Sequence, residues 1–109
     1  MTVERIAKLN NFEALHLAQD CEVSGVFCGD LLSWVMGRAQ EGQAWLTVMG
    51  NINAVAVAHL AGTACIVLCE NSAIMDDALE RAKAQHINIL KTSLPVFEAA
   101  INIAKAMEQ

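Results

Sequence analysis

The chain has 109 residues, 55% of them apolar and 17% charged, which fits one domain with a buried core and excludes a disordered chain. A net charge of −5 without any cluster of Lys or Arg excludes the electrostatic footprint of nucleic-acid binding. With two Trp, three Phe and no Tyr, the core must rest on Ala, Val, Leu, Ile and Met.

The first residues, Met1 to Arg5, lack a basic segment followed by an apolar one, and no apolar run reaches the roughly 18 residues of a membrane span. The expectation is a cytoplasmic protein with no membrane contact. Val3, Ile6, Ala7 and Leu9 fall at helical spacing and predict a short helix that ends at Asn10-Asn11. Phe12 to Ala18 alternates loosely as a strand, and Asp20-Cys21-Glu22 with Ser24-Gly25 reads as a turn into the strand Val26-Phe27-Cys28. From Gly29 the pattern is regular. Asp30 stands as an N-cap before Leu31, Leu32, Val35, Met36 and Ala39, and Gly42 stops that helix. Ala44 to Met49 is a β-type run, and Gly50-Asn51 opens a helix over Ile52 to Ala61 that Gly62 closes.

Ala64 to Cys69 is an almost purely apolar strand, as expected of a central strand covered on both faces. Alternation points Cys65 and Cys69 to one face, where free Cys packs as a small hydrophobe. Asn71-Ser72 breaks the chain before Asp76-Asp77, which place negative charge at the start of a helix over Ala78 to Gln85. Ile87 to Leu90 is the last predicted strand. Ser93 and Pro95 mark the start of a closing helix with Val96, Phe97, Ala100, Ile101 and Ala104 as its buried stripe. The order from residue 26 is βαβαβαβα. Residues 1–109 therefore read as a single α/β domain, a small three-layer sandwich with a mostly parallel central sheet flanked by helices.

Three stretches carry a resemblance: Gly29-Asp30-Leu31-Leu32-Ser33 with Val35-Met36, Ala44 to Asn51, and Ala64 to Asn71, extended by Thr92 and Phe97-Glu98-Ala99-Ala100. Together they resemble the DRTGG domain, a small module related to the N-terminal domain of HPr kinase/phosphorylase. Where that family carries an Asp-Arg pair this chain has Asn51-Ile52, and where it carries Thr-Gly-Gly this chain has Cys69-Glu70-Asn71. The resemblance implies an α/β sandwich, often dimeric, found alone or attached to enzymes as a regulatory domain.

The residues offer little to a catalyst. There is no GxxxxGK[ST], no GxSxG around Ser33 or Ser93, and no HExxH among His16, His59 and His86. Cys21, Cys28, Cys65 and Cys69 form no CxxC pair and no zinc-ligand pattern, so reduced thiols, no metal site and no cofactor are expected. His59 reads as a packed or interface residue, and His86 as a helix-end residue that complements the dipole.

Open α/β sheets bind ligands at the carboxyl ends of their strands. Here those ends supply Asp30, then Gly50, Asn51 and Asn53, then Glu70 and Asn71, and finally Thr92 and Ser93. The alternative reading of Asp30, Asn51 and Ser93 is as helix caps, each contributing about 1 kcal/mol. No Arg stands near these positions and Lys91 is the only Lys near a predicted strand end, so the lining suits a small neutral polar ligand or the tail of a partner protein better than a phosphate, with a nucleotide as a further candidate. Trp34 falls outside its helix's apolar stripe and is the expected anchor of an interface, while Trp45 reads as core or sheet edge. The expectation is a non-catalytic regulatory or ligand-binding module and a homodimer. The alternative is an adaptor that meets a protein partner through the Trp34 surface.

Overall fold

The computed structural model describes residues 1–109. The elements run α1 (Val3–Ala7), β1 (Phe12–His16), β2 (Gly25–Cys28), α2 (Leu32–Arg38), β3 (Gln43–Thr47), α3 (Ile52–Ala61), β4 (Cys65–Leu68), α4 (Asp76–Gln85), β5 (Ile89–Thr92) and α5 (Val96–Met107). One five-stranded sheet has the order β1-β5-β4-β3-β2. β2 to β5 run parallel, and β1 adds antiparallel to β5, with Phe12 opposite Thr92 and a bulge between Ala14 and His16. The apolar strand β4 lies at the centre and is buried along its whole length, as its sequence requires.

Two apolar layers cover the sheet. On one face Val35 of α2, Ala54, Val55 and Ala58 of α3, and Ala78 and Ala82 of α4 pack against Trp45, Ile66, Leu68 and Ile89. On the other, Val3 and Ile6 of α1 and Ala99 and Ile103 of α5 pack against Ala44, Leu46, Cys65, Val67 and Leu90. Helices α2 to α4 thus share a face because three successive crossovers of one hand leave them no other side. α3, the middle of the three, is apolar nearly all round since α2 and α4 flank it. Cys65 and Cys69 share the α1/α5 face as alternation predicts. Trp45 is fully buried and its indole N–H donates to the Gly29 carbonyl.

Several expectations are corrected. The closing helix buries Ala99, Ile103 and Ala106, while Phe97, Ile101 and Ala104 are exposed. Both faces of that helix are apolar, and the small side chains win the sheet side because they let the helix approach closely. α2 begins at Leu32 and buries only Val35, with Leu31 and Met36 exposed. The last strand lies two residues later than predicted. Residues 86 and 87 close α4 instead: His86 adopts a left-handed C-cap and the Ile87 N–H returns to the Ala82 carbonyl.

Candidate functional site

The carboxyl ends of four parallel strands form one rim, and the sequence-predicted residues all fall on it. The strand order β2-β3-β4-β5 never reverses, so no crevice opens between these neighbours. From β2 onward the chain changes face only at β5, which follows α4 on one side and leads to α5 on the other. In open α/β sheets such a change of side is where ligands find room.

Away from that point Asp30, Thr47 and Asn51 spend their side chains on internal hydrogen bonds. Asp30 does not cap α2, whose N-cap is Leu31 without a side-chain bond. Its Oδ1 accepts from the Thr47 hydroxyl at 2.6 Å and from the Val48 N–H at 3.0 Å, which ties the end of β2 to the end of β3. Thr47 is buried and its Oγ1 also accepts from the Met49 N–H at 3.2 Å. Asn51 is the N-cap of α3, its Oδ1 accepting from the Ala54 N–H at 2.9 Å. Gly50 packs under the β4–α4 loop: a β-carbon there would collide with the Ala73 carbonyl oxygen. Asn53 and Glu70 are exposed.

The β4–α4 loop starts with two consecutive left-handed residues, Glu70 and Asn71, both at φ 57°. They are held there by the Glu70 N–H donating to the Leu94 carbonyl and the Asn71 N–H donating to the Thr92 carbonyl. These are the two positions that the resemblance gives to paired glycines, and the backbone keeps the geometry glycine adopts without strain. Left-handed backbone costs an L-residue roughly 1–2 kcal/mol, part of which glycine returns as unfolded-state entropy. Glu70→Gly is therefore expected to stabilise the fold by about 0.5–1 kcal/mol. Asn71→Gly should gain less, because Asn tolerates this region. Urea denaturation of the two variants checks the order.

At the change of side, Asn11, Phe12, Glu13, Asn71, Lys91, Thr92 and Ser93 line a depression of about 270 Å³. Three of the predicted site residues, Asn71, Thr92 and Ser93, meet here, while Asp30, Gly50, Asn51, Asn53 and Glu70 do not line it. Thr92 is a structural member: its hydroxyl donates to the Asn11 carbonyl at 2.7 Å and accepts from the Leu94 N–H at 3.2 Å. Ser93 is not a helix cap, since Pro95 holds that place in α5. Lys91, set aside in the sequence, lies within β5 opposite Glu13 of β1 and has no carboxylate partner within ion-pair distance. The two-residue shift of β5 places it inside the strand, one residue before the carboxyl end. The depression thus combines the Lys91 ammonium, the Glu13 carboxylate, two side-chain amides and the Ser93 hydroxyl.

The remaining chemistry is sparse. Burial pushes the Cys69 thiol up to about 12, with the nearby Cys28, Asp30 and Glu70 charges adding, and burial likewise raises Cys65. Cys28 is exposed, but partial burial and then Asp30 raise it too, so none of these thiols is an activated nucleophile. No three His, Cys, Asp or Glu side chains come together at metal-binding distance. No helix is long and apolar enough to cross a membrane. His59 is exposed rather than packed. Trp34 is 54% exposed, with the Arg38 guanidinium 4.0 Å from its ring centre.

No family model and no curated protein sequence matches the chain. The fold is similar to that in the structure of the CBS and DRTGG domains of the regulatory region of Clostridium perfringens pyrophosphatase, solved with its activator diadenosine tetraphosphate. The TM-score is 0.78 at 14% sequence identity, over 95% of this chain and 46% of that one. The chain therefore spans less than half of that regulatory region, with which it shares an α/β fold.

Proposed function

We propose that this protein is a non-catalytic regulatory module of the DRTGG type that binds a small polar, anionic ligand at the β5 end of the rim. The observation that carries this reading is Lys91, an ammonium without an ion-pair partner in a depression lined also by two amides, a hydroxyl and the Glu13 carboxylate, which leaves Lys91 the one cation there to meet an anion. The sequence alone favoured a neutral ligand because no cation was placed among the loops; Lys91 supplies one. α5 begins three residues beyond Ser93, and the N-terminus of a helix of this length favours negative charge nearby. A nucleotide fits this chemistry. Diadenosine tetraphosphate belongs among the compounds tested because it is bound by the regulatory region of similar fold.

The test is thermal shift of the whole chain against nucleotides, dinucleoside polyphosphates and acyl phosphates. A ligand at a hundredfold its Kd adds about 2.7 kcal/mol to stability. Lys91→Gln is expected to weaken that ligand at least about tenfold, the loss of one charge-assisted hydrogen bond. A panel without any stabilising compound, or a shift that survives Lys91→Gln unchanged, overturns the reading. Asn51→Ala is a poor probe, because removing the α3 cap costs about 1 kcal/mol whether or not anything binds.

A second reading rests on a different surface. Leu31, Trp34 and Met36 are all exposed beside β2, the open parallel edge of the sheet. Large aromatics at such positions anchor interfaces, so this surface is our proposed homodimer or adaptor contact. Sedimentation of the Trp34→Ala variant against the parent checks it; an unchanged association state removes this reading.

A further inference from the structure

The largest cavity in the protein, about 450 Å³, lies at the opposite rim, at the amino ends of β4 and β5 and away from Lys91. Its lining includes Gln19, Glu41, His59, Thr63, Gln85 and His86, at the C-terminal ends of α3 and α4. Both helices, each ten residues long, close with a left-handed residue, Gly62 at φ 73° and His86 at φ 59°. The Gly62 and Thr63 N–H groups both return to the Ala58 carbonyl, and the His86 and Ile87 N–H groups both return to the Ala82 carbonyl. Doubling two donors on one carbonyl leaves the later carbonyls of each last turn without a backbone donor, at the negative end of the helix dipole.

Two side-chain acceptors add to these. Thr63 Oγ1 and Gln85 Oε1 are buried in the cavity wall and have no hydrogen-bond partner. Glu41 is the only carboxylate in the lining, which contains no Lys or Arg, and its Cγ stands 3.2 Å from where a β-carbon on Gly62 would be. Asn88, also in the lining, has its side chain fully engaged with Ala18, Gln19 and Ala64. Beside the amide, hydroxyl and imidazole donors of Gln19, His59, Thr63, Gln85 and His86, the wall thus holds two unpartnered side-chain oxygens, the free carbonyls of two helix ends and one carboxylate, and a buried acceptor without a donor is costly.

We propose that this cavity is a second binding site, for a small organic cation with N–H donors, an alkyl ammonium or guanidinium group. Such a group donates to the free carbonyls of the two helix ends and, once the Thr63 and Gln85 side chains turn toward the cavity, to Thr63 Oγ1 and Gln85 Oε1, while its charge faces Glu41. The site is independent of the Lys91 depression: it lies at the other end of the strands and selects the opposite charge.

The experiment is an amide NMR titration of the whole chain with putrescine and, as the neutral isostere, 1,4-butanediol. Putrescine is expected to give saturable shifts at Gly62, Thr63, His86 and the Gln85 side-chain amide, and butanediol none. Glu41→Gln and Thr63→Val are each expected to weaken putrescine about tenfold, the loss of one charge-assisted hydrogen bond. Thr63→Val should leave Tm unchanged or higher, because it deletes an unpartnered polar atom rather than a contact. Equal shifts with butanediol overturn the proposal. So do shifts spread over the exposed acids Asp76, Asp77 and Glu80, the absence of saturation, or an affinity unchanged in both variants.

Discussion

Asn88→Ala is expected to destabilise the fold by about 3–4 kcal/mol, because one side chain completes four backbone groups at once. Asn88 is 2% exposed. Its Oδ1 accepts from the Ala18 N–H at 2.7 Å and the Gln19 N–H at 3.1 Å. Its Nδ2 donates to the Gln19 carbonyl at 2.7 Å and the Ala64 carbonyl at 3.0 Å. The segment after β1 has no strand of its own to pair with, so this amide does for it what a ladder does elsewhere. Alanine removes the partner and leaves the backbone groups, each of which then carries its full desolvation penalty. Tm should fall by on the order of 15 °C for a chain of this size. In urea the midpoint should drop with an unchanged slope, the signature of lost stability rather than of altered compactness. Asn102→Ala, at an exposed position on α5 without a side-chain hydrogen bond, is the control and should stay within about 0.5 kcal/mol. A loss below about 1 kcal/mol for Asn88→Ala would mean that water takes over the amide's role.

What could be read in advance follows from how local each cause is. The strand Ala64 to Cys69 and the helix from Ile52 to Gly62 were legible because their signals, an unbroken apolar run and an Asn cap with a closing glycine, act within a few residues. For Asp30 the sequence misleads, because an Asp before an apolar helix fits a cap equally well. Its actual partners, Thr47 and Val48, become neighbours only when β2 pairs with β3. Asn88 sits within a stretch that reads as an apolar strand. An Asn inside Ile87-Asn88-Ile89-Leu90 was the available signal, since a buried amide must find partners somewhere. Lys91 followed from the same error: with the strand placed two residues early, it stood beyond the sheet rather than opposite Glu13. The polar groups of the rim lie beyond the strand ends, but the sequence could not reveal that Asp30, Asn51 and Thr92 already spend their side chains on nearby backbone groups and the Thr47 hydroxyl. Only the sheet order shows that the open place is where β1 joins β5.

The same distinction between rim position and rim availability governs Gly50. Gly50→Ala is expected to cost about 3 kcal/mol, although the residue lies in a surface loop beside a proposed binding region. A β-carbon there would overlap the Ala73 carbonyl oxygen and stand 3.0 Å from the Ala73 carbonyl carbon and Ile74 Cα. These are backbone atoms, so no side-chain rotation relieves the clash. The loop from Ala73 must move, and with it the Met75 N–H, which donates to the Gly50 carbonyl at 2.8 Å and fixes the approach to α4. Gly37→Ala supplies the contrast within the same chain. Gly37 lies in α2 with nothing within 4 Å of its β-carbon position, so alanine should stabilise by about 0.5–1 kcal/mol through helix propensity alone. If Gly50→Ala instead left stability intact and abolished ligand-induced shifts, the glycine would be serving a ligand's approach. The close contact with Ala73 predicts the reverse: stability falls, and affinity at Lys91 changes only as far as the β4–α4 loop carries Asn71 with it.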